Sequence, residues 1–334
     1  MQPLHIKFLN LLNGDVQYVV PRWQRRYCWG QSDIERLVDD LMAIAAAGPE
    51  SSHYGGTLLT FPEPGAAGVL STFRIVDGQQ RLTTVSILLA CVAAKLERDG
   101  PCGEWTGEII RERRLTNPAD MGTEKRFKVR LQNGDNDEYR RGFEGSPAGP
   151  GAVTQAWRIA RRLVERNDTA SLLTGLERLQ VVSIGLTHTD DPQQIFESLN
   201  ATGRPLTESE KVKSWLLIGL PEEEQRKLHD EHWLEIEKAL GAQHTTEPID
   251  VFLRDVMRWR TGEVHGRDKT YEQLRRWALK QGKSTTKKRA KLCRDLARLA
   301  GLGAASAGAT ASSIACSVPG SRAARQSGNR PDVV

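Results

Sequence analysis

The chain has 334 residues, 47 Lys and Arg against 42 Asp and Glu, and a formal charge of +5. That length holds one large domain or two ordinary ones, and 39% apolar with 27% charged residues is the composition of an ordinary globular protein. The longest apolar run, Val85 to Ala94, is interrupted by Ser86 and is too short to cross a bilayer, and the first ten residues lack a signal-peptide layout. Five scattered cysteines without a CxxC (Cys28, Cys91, Cys102, Cys293 and Cys316) exclude a cysteine-based zinc ribbon and point to a reducing, cytoplasmic setting.

The segment from Tyr18 to Trp29 sets three arginines (Arg22, Arg25, Arg26) among four aromatic rings. Such a mixture stacks bases and binds phosphates, or packs its rings into a core, and the residues alone leave both readings open. Ser32 with Glu35 predicts a capping box for a helix whose apolar face is Ile34, Leu37, Val38, Leu41 and Ile44. Tyr54 to Phe61 and Thr72 to Val76 read as strands around a Gly/Pro-rich loop. Asp77-Gly78 then opens a helix marked by Leu82, Val85, Leu89, Val92 and Leu96. Residues 101–150 read as a polar connector with a helix near Glu138.

The remainder reads as mainly helical. Val153 to Arg166 is amphipathic, and Leu179 to Leu186 is the one expected strand. Asp191-Pro192 predicts a helix start, and Thr207 with Glu210 a second capping box. Helices are expected near 222–240, 247–261, 270–281 and 285–299. Of the last 34 residues 19 are Gly, Ala or Ser, so 301–334 reads as a disordered tail, or as truncated or frameshifted sequence.

Three constellations carry candidate chemistry. Asp77-Gly78-Gln79-Gln80-Arg81 is a strand end, a tight turn and a helix start, and a helix N-terminus is a ready anion site. Arg81 adds a phosphate fork, Gln79 and Gln80 would bond phosphate oxygens or orient water, and Asp77 would hold a divalent ion or act as a base. The plainer reading is a structural joint with Asp77 as N-cap. The aromatic and arginine cluster at 18–29 is the second. The third, Ile195 to Thr207, joins two helices through Asn200 and Gly203. The run Lys283 to Arg298 has seven cations against Asp295 alone; it reads as a solvated helix face or a nucleic-acid contact. Gly282-Lys283-Ser284-Thr285 lacks the preceding glycine and strand of a phosphate-binding loop, and His229 with His232 lacks a third metal ligand.

Together, DGQQRLTTV at 77–85, the Y-x-x-P-x-x-QR-x-Y-x-W pattern at 18–29, HYGGTLL at 53–59 and IFESLNATGRPLTESEKVKSWLL at 195–217 resemble the N-terminal domain of GmrSD-type restriction systems. The resemblance spans about residues 10–280. It implies an α+β chain: a ParB/sulfiredoxin-like nucleotide-binding domain over 1–100 and a mainly helical region over 101–300. It implies a nucleoside triphosphate as substrate with a divalent cation, Mg2+ being expected, in defence against phage DNA that is often modified. By position, Asp77, Gln79, Gln80 and Arg81 would be catalytic, with Asp77 on the metal, and Gly78, Gln24 and Arg25 would bind nucleotide. Arg22, Arg26, Trp29, Lys287, Lys288 and Arg289 would meet nucleic acid. Arg26 stands where proline is usual. No His follows His265, so the chain is expected to lack a His-based nuclease domain and to need a separate nuclease subunit for cutting. The leading expectation is an NTP-hydrolysing sensor; the rivals are a ParB-like nucleotide-switched DNA-binding regulator and a non-catalytic remnant.

Overall fold

The computed structural model describes residues 2–48, 53–65, 70–145, 147–187, 190, 195–196, 205–242, 246–263, 266–282 and 285–314. Its centre is a six-stranded mixed sheet. The strands are β1 (Gln2–Lys7), β2 (Val16–Val19), β3 (His53–Pro62), β4 (Ser71–Asp77), β5 (Val129–Arg130) and β6 (Leu179–Gly185), in spatial order β1-β6-β3-β4-β2-β5. β2 runs parallel to both β4 and β5, β3 is antiparallel to β4 and parallel to β6, and β1 closes the edge antiparallel to β6.

Successive residues of a strand point to opposite faces, and here both faces are covered. Leu58 and Ile75 enter one apolar core, and their neighbours Leu59 and Val76 enter the other. The first core is built with α1 (Phe8–Leu11), α2 (Gln31–Ala46), α3 (Gln79–Asp99), α4 (Gly107–Ile110), α5 (Asn133–Phe143), α6 (Ala152–Arg166) and α7 (Thr169–Arg178). α3 packs on α6, and α2 on α7. The second core is built with α8 (Glu208–Leu217), α9 (Glu222–Leu228), α10 (Leu234–Ala239), α11 (Glu247–Thr261), α12 (Thr270–Lys280) and α13 (Thr286–Ile314). A π-helical turn, His229–Trp233, joins α9 to α10.

The chain is therefore α+β, as its patterning predicts. Residue 100, the expected boundary, is not an edge of the sheet or of its core: β5 and β6 complete the sheet from beyond it, and the first core runs from Phe8 to Val181. β1, β2 and β5 leave little pattern in the sequence, because they are short or carry a proline and two of them are edges. The cap of α2 also differs from expectation. The Gly30 N–H donates to the Asp33 carboxylate (3.0 Å), while Glu35 accepts from Gln31 (2.8 Å). The Thr207–Glu210 capping box forms as expected. α13 continues through Ile314 into the stretch read as a disordered tail, since alanine favours a helix even without apolar anchors. The expected helix from Asp191 and the turn residues Asn200 and Gly203 lie outside the described residues, Ile195 and Phe196 excepted. No described helix is long and apolar enough to cross a membrane.

Candidate functional site

β2 and β4 are parallel neighbours, so the segments that follow them leave the same end of the sheet. One is the Tyr18–Trp29 segment, the other the Asp77–Arg81 turn. Carboxyl ends of parallel strands are where α/β sheets commonly seat ligands.

Gly78 makes the turn, with φ +90° and ψ 4°. A Cβ there would lie 2.7 Å from the Thr57 carbonyl oxygen, so glycine is required for both the backbone angle and the close approach to β3. The Leu82 N–H closes the first helical bond to the Gly78 carbonyl (3.1 Å). No side chain caps α3, so the partial positive charge of its first turn is left facing the sheet end.

Arg81 lies half-buried in that first turn. Its guanidinium carbon is 6.0 Å from the Trp29 ring centroid, and the group rests on Gly56, where a Cβ would come within 2.4 Å of Nη1. Gly56 has φ +93° and sits in a bulge of β3 between Tyr54 and Thr57. The bulge makes the berth for Arg81. Among the described residues the guanidinium has no hydrogen bond and no ion pair within 4 Å. Burial pulls its pKa below the ordinary guanidinium range, with Asp77, Tyr54 and Asp40 pulling back. Asp77 shows the opposite balance. Burial raises its pKa, and the Gly78 N–H, Arg81 and Arg25 lower it in turn.

The glutamine amides are engaged by backbone groups. Gln79 Nε2 donates to the Arg25 carbonyl (3.0 Å). Gln80 Oε1 accepts from the Cys28 and Trp29 N–H groups (2.9 and 3.3 Å), and its Nε2 donates to the Arg26 carbonyl (3.2 Å). Gln24 Nε2 donates to the Val76 carbonyl (2.6 Å), and Gln132 Nε2 to the carbonyls of Pro21 and Gln24 (2.8 Å each). All four are buried. They satisfy a loop that has no ladder of its own and bind it to the first turn of α3.

The aromatic cluster divides in the same way. Trp23 and Tyr27 are core; Trp23 meets Phe196 edge-on at 5.0 Å, and Tyr27 bonds Thr84 at 2.8 Å. Trp29 is half-buried beside Arg81. The expected nucleic-acid contacts have different surroundings. Arg22 pairs with Asp230 (3.4 Å) and Arg26 with Asp135 (3.4 Å). Lys287 and Lys288 are exposed on α13. Arg289 is a correction: it is 8% exposed, donates to the Trp215 carbonyl and stacks on the Trp215 ring at 5.6 Å. Its helical phase turns it inward from the basic run, into the second core.

Four site residues were not singled out from the sequence: Gln132, Asp135, Gly56 and Lys213. Paired glycines inside a strand pattern signalled the bulge at Gly56. Lys213 lies on the inward side of α8 beside Val212, where its type alone argues for solvent. It is buried, and it lines a cavity of about 410 Å3 with Arg25, Arg26, Glu210, Trp233 and Glu237. Burial lowers its pKa, against the pull of Glu237 and Glu210. Among the described residues its ammonium makes no hydrogen bond.

No group of three or more His, Cys, Asp or Glu converges among the described residues to hold a metal by itself. Asp77 by itself offers a single carboxylate, which could serve a cation only where phosphate oxygens and water supplied the other ligands.

The sheet end, the glycine turn and the tethered loop fall inside one family match. Residues 8–217 match the family described as GmrSD restriction endonuclease, N-terminal domain. The chain belongs to that family. The match covers the whole sheet after β1, the Asp77–Arg81 turn and α8. It ends before α9, so the basic helices lie beyond it. No curated protein matches the chain.

Proposed function

We propose that the chain is the nucleoside-triphosphate-binding and hydrolysing sensor module of a phage-defence restriction system, with DNA cutting left to a nuclease on another chain or domain. The observation that carries this reading is Arg81: a half-buried guanidinium, held against Gly56 and Trp29, with no acceptor among the described residues and an uncapped helix N-terminus beside it. Burying a charge without a partner is costly, and a triphosphate supplies the missing acceptors in the fork geometry that arginine matches. Asp77 would then meet a divalent cation brought with the phosphates; the cation's role is to offset phosphate charge. Asp77's raised pKa also suits a group that takes up a proton from attacking water.

A second reading is favoured by the glutamine tethers. Gln79 and Gln80 are bound to the Arg25–Trp29 backbone, so a ligand at the α3 N-terminus displaces that loop directly. This is how a ParB-like, nucleotide-switched DNA-binding regulator with negligible turnover would work.

Calorimetry with Mg2+ and each of the common nucleoside triphosphates tests the binding, and phosphate release with and without DNA separates the two readings. Binding that is unchanged in folded Arg81→Ala sinks both.

A further inference from the structure

The helices beyond the family match carry a surface that the reading above leaves unused. Residues 251–300 hold 15 Lys and Arg against 5 Asp and Glu, a net +10 in a chain whose total is +5. In this excess sits Trp259, in the last turn of α11. It is 73% exposed, the most exposed large apolar side chain among the described residues.

A lone exposed indole needs no explanation, but this one is held. The Arg260 guanidinium carbon lies 5.6 Å from the Trp259 ring and 4.9 Å from the ring of Trp277 on α12. Trp277 packs against the second core. It therefore anchors Arg260, and Arg260 steadies the outer ring. Arg260 Nε is buried without a hydrogen-bond partner among the described residues. Arg258, Arg276 and Lys280 are exposed within a turn of these rings. Of the acids, Asp255 and Glu263 are exposed one turn to either side of Trp259, while Glu247, Asp250 and Glu272 stand in the first turns of α11 and α12, so cations outnumber acids around the rings without excluding them.

We propose that the Trp259–Arg260–Trp277 surface docks a nucleic-acid strand, with an unpaired base stacked on Trp259 and phosphates on Arg258, Arg276 and Lys280. An acidic peptide would satisfy the cations but would leave the indole face without a π partner; every nucleobase supplies one. The inference rests on the DNA reading above for its choice of polyanion, and on nothing at Asp77 or Arg81.

The test is fluorescence anisotropy of a labelled oligothymidylate, and of a duplex of equal length, with the full chain and no nucleotide. Trp259→Ala should weaken strand binding about tenfold or more, the weight of one stacked base, while changing duplex binding little. Trp259→Phe, which keeps a π face, should retain most of the affinity. The triple change Arg258→Ala, Arg276→Ala, Lys280→Ala should reduce the log–log salt slope by about 2. Arg81→Ala should keep strand binding even where it loses nucleotide, so the two readings fail separately. Strand affinity for Trp259→Ala within twofold of the parent, at an unchanged melting temperature, overturns the proposal. So does displacement of the strand by polyglutamate with the same dependence on Trp259.

Discussion

The loop tied to α3 and the basic run on α13 use polar side chains in opposite ways. In the first region Gln24, Gln79, Gln80 and Gln132 are buried, and their amides are spent on backbone groups. Asp77 and Arg81, in the same turn, make no side-chain hydrogen bond to another side chain among the described residues. In the second, Lys287, Lys288, Lys291, Arg294 and Arg298 face solvent, and among the described residues of the run Arg289 alone turns inward. A polar residue in a motif is thus not yet a functional one. Whether it builds the site or acts in it depends on whether its hydrogen bonds are already satisfied.

Five experiments break or sharpen that contrast. The largest effect is expected at Gln80. Gln80→Ala leaves two part-buried N–H groups and a carbonyl without their partner, so stability measured by denaturant unfolding should fall by about 2–3 kcal/mol. Close behind, Arg289→Ala should cost about 2 kcal/mol, because the Trp215 carbonyl loses its donor and the ring its cation. Its neighbour Lys288→Ala should stay within about 0.5 kcal/mol of the parent. Equal losses for these two would erase the distinction between inward and outward cations.

Arg81→Ala should do the reverse of Gln80→Ala. Stability should hold or rise, while triphosphate affinity by calorimetry falls by about 1.5–3 kcal/mol. The smallest effects are in pH dependence. Asp77 has a raised pKa, so the folded state binds its proton more readily than the unfolded chain does. Its ionisation removes stability as pH rises above the ordinary carboxylate range. Asp77→Asn should therefore raise the melting temperature at pH 7 and lose that gain in acid. On the helical side, burial pushes His229 down to about 4, with Lys213 adding to the shift. The unfolded chain takes up that proton first, so stability should fall as pH drops from about 6.5 toward 4. His229→Leu should flatten that limb of the melting curve.

Much of this was legible in the sequence, and the rest has physical reasons for being hidden. The strand–glycine–helix joint at 77–81 was readable because the Gly turn and the apolar period of α3 are both local. The capping box at Thr207 was readable for the same reason. The roles of Gln79 and Gln80 were not, because their partners lie more than fifty residues away and nothing local marks an amide as already engaged. Arg289 was hidden by its neighbours: in a run of cations, helical phase is carried only by the intervening Ala290, Leu292, Cys293 and Leu296. β2 was masked by the arginines and rings that follow it, although that strand is what brings both motifs to one end of the sheet.

One oxygen, Gln80 Oε1, holds two successive backbone protons, those of Cys28 and Trp29. Those protons are isotopic clocks. Each can exchange with deuterium only when Gln80 lets go, so their rates count openings of the tether. A ligand settling on the first turn of α3 must either tighten that grip or loosen it. Either way the message is written on two amides 52 and 51 residues distant in the chain from the side chain that holds them. Deuterium uptake at Cys28 and Trp29 would thus report occupancy of the turn without a label at the turn itself, and its sign would tell a latch from a release.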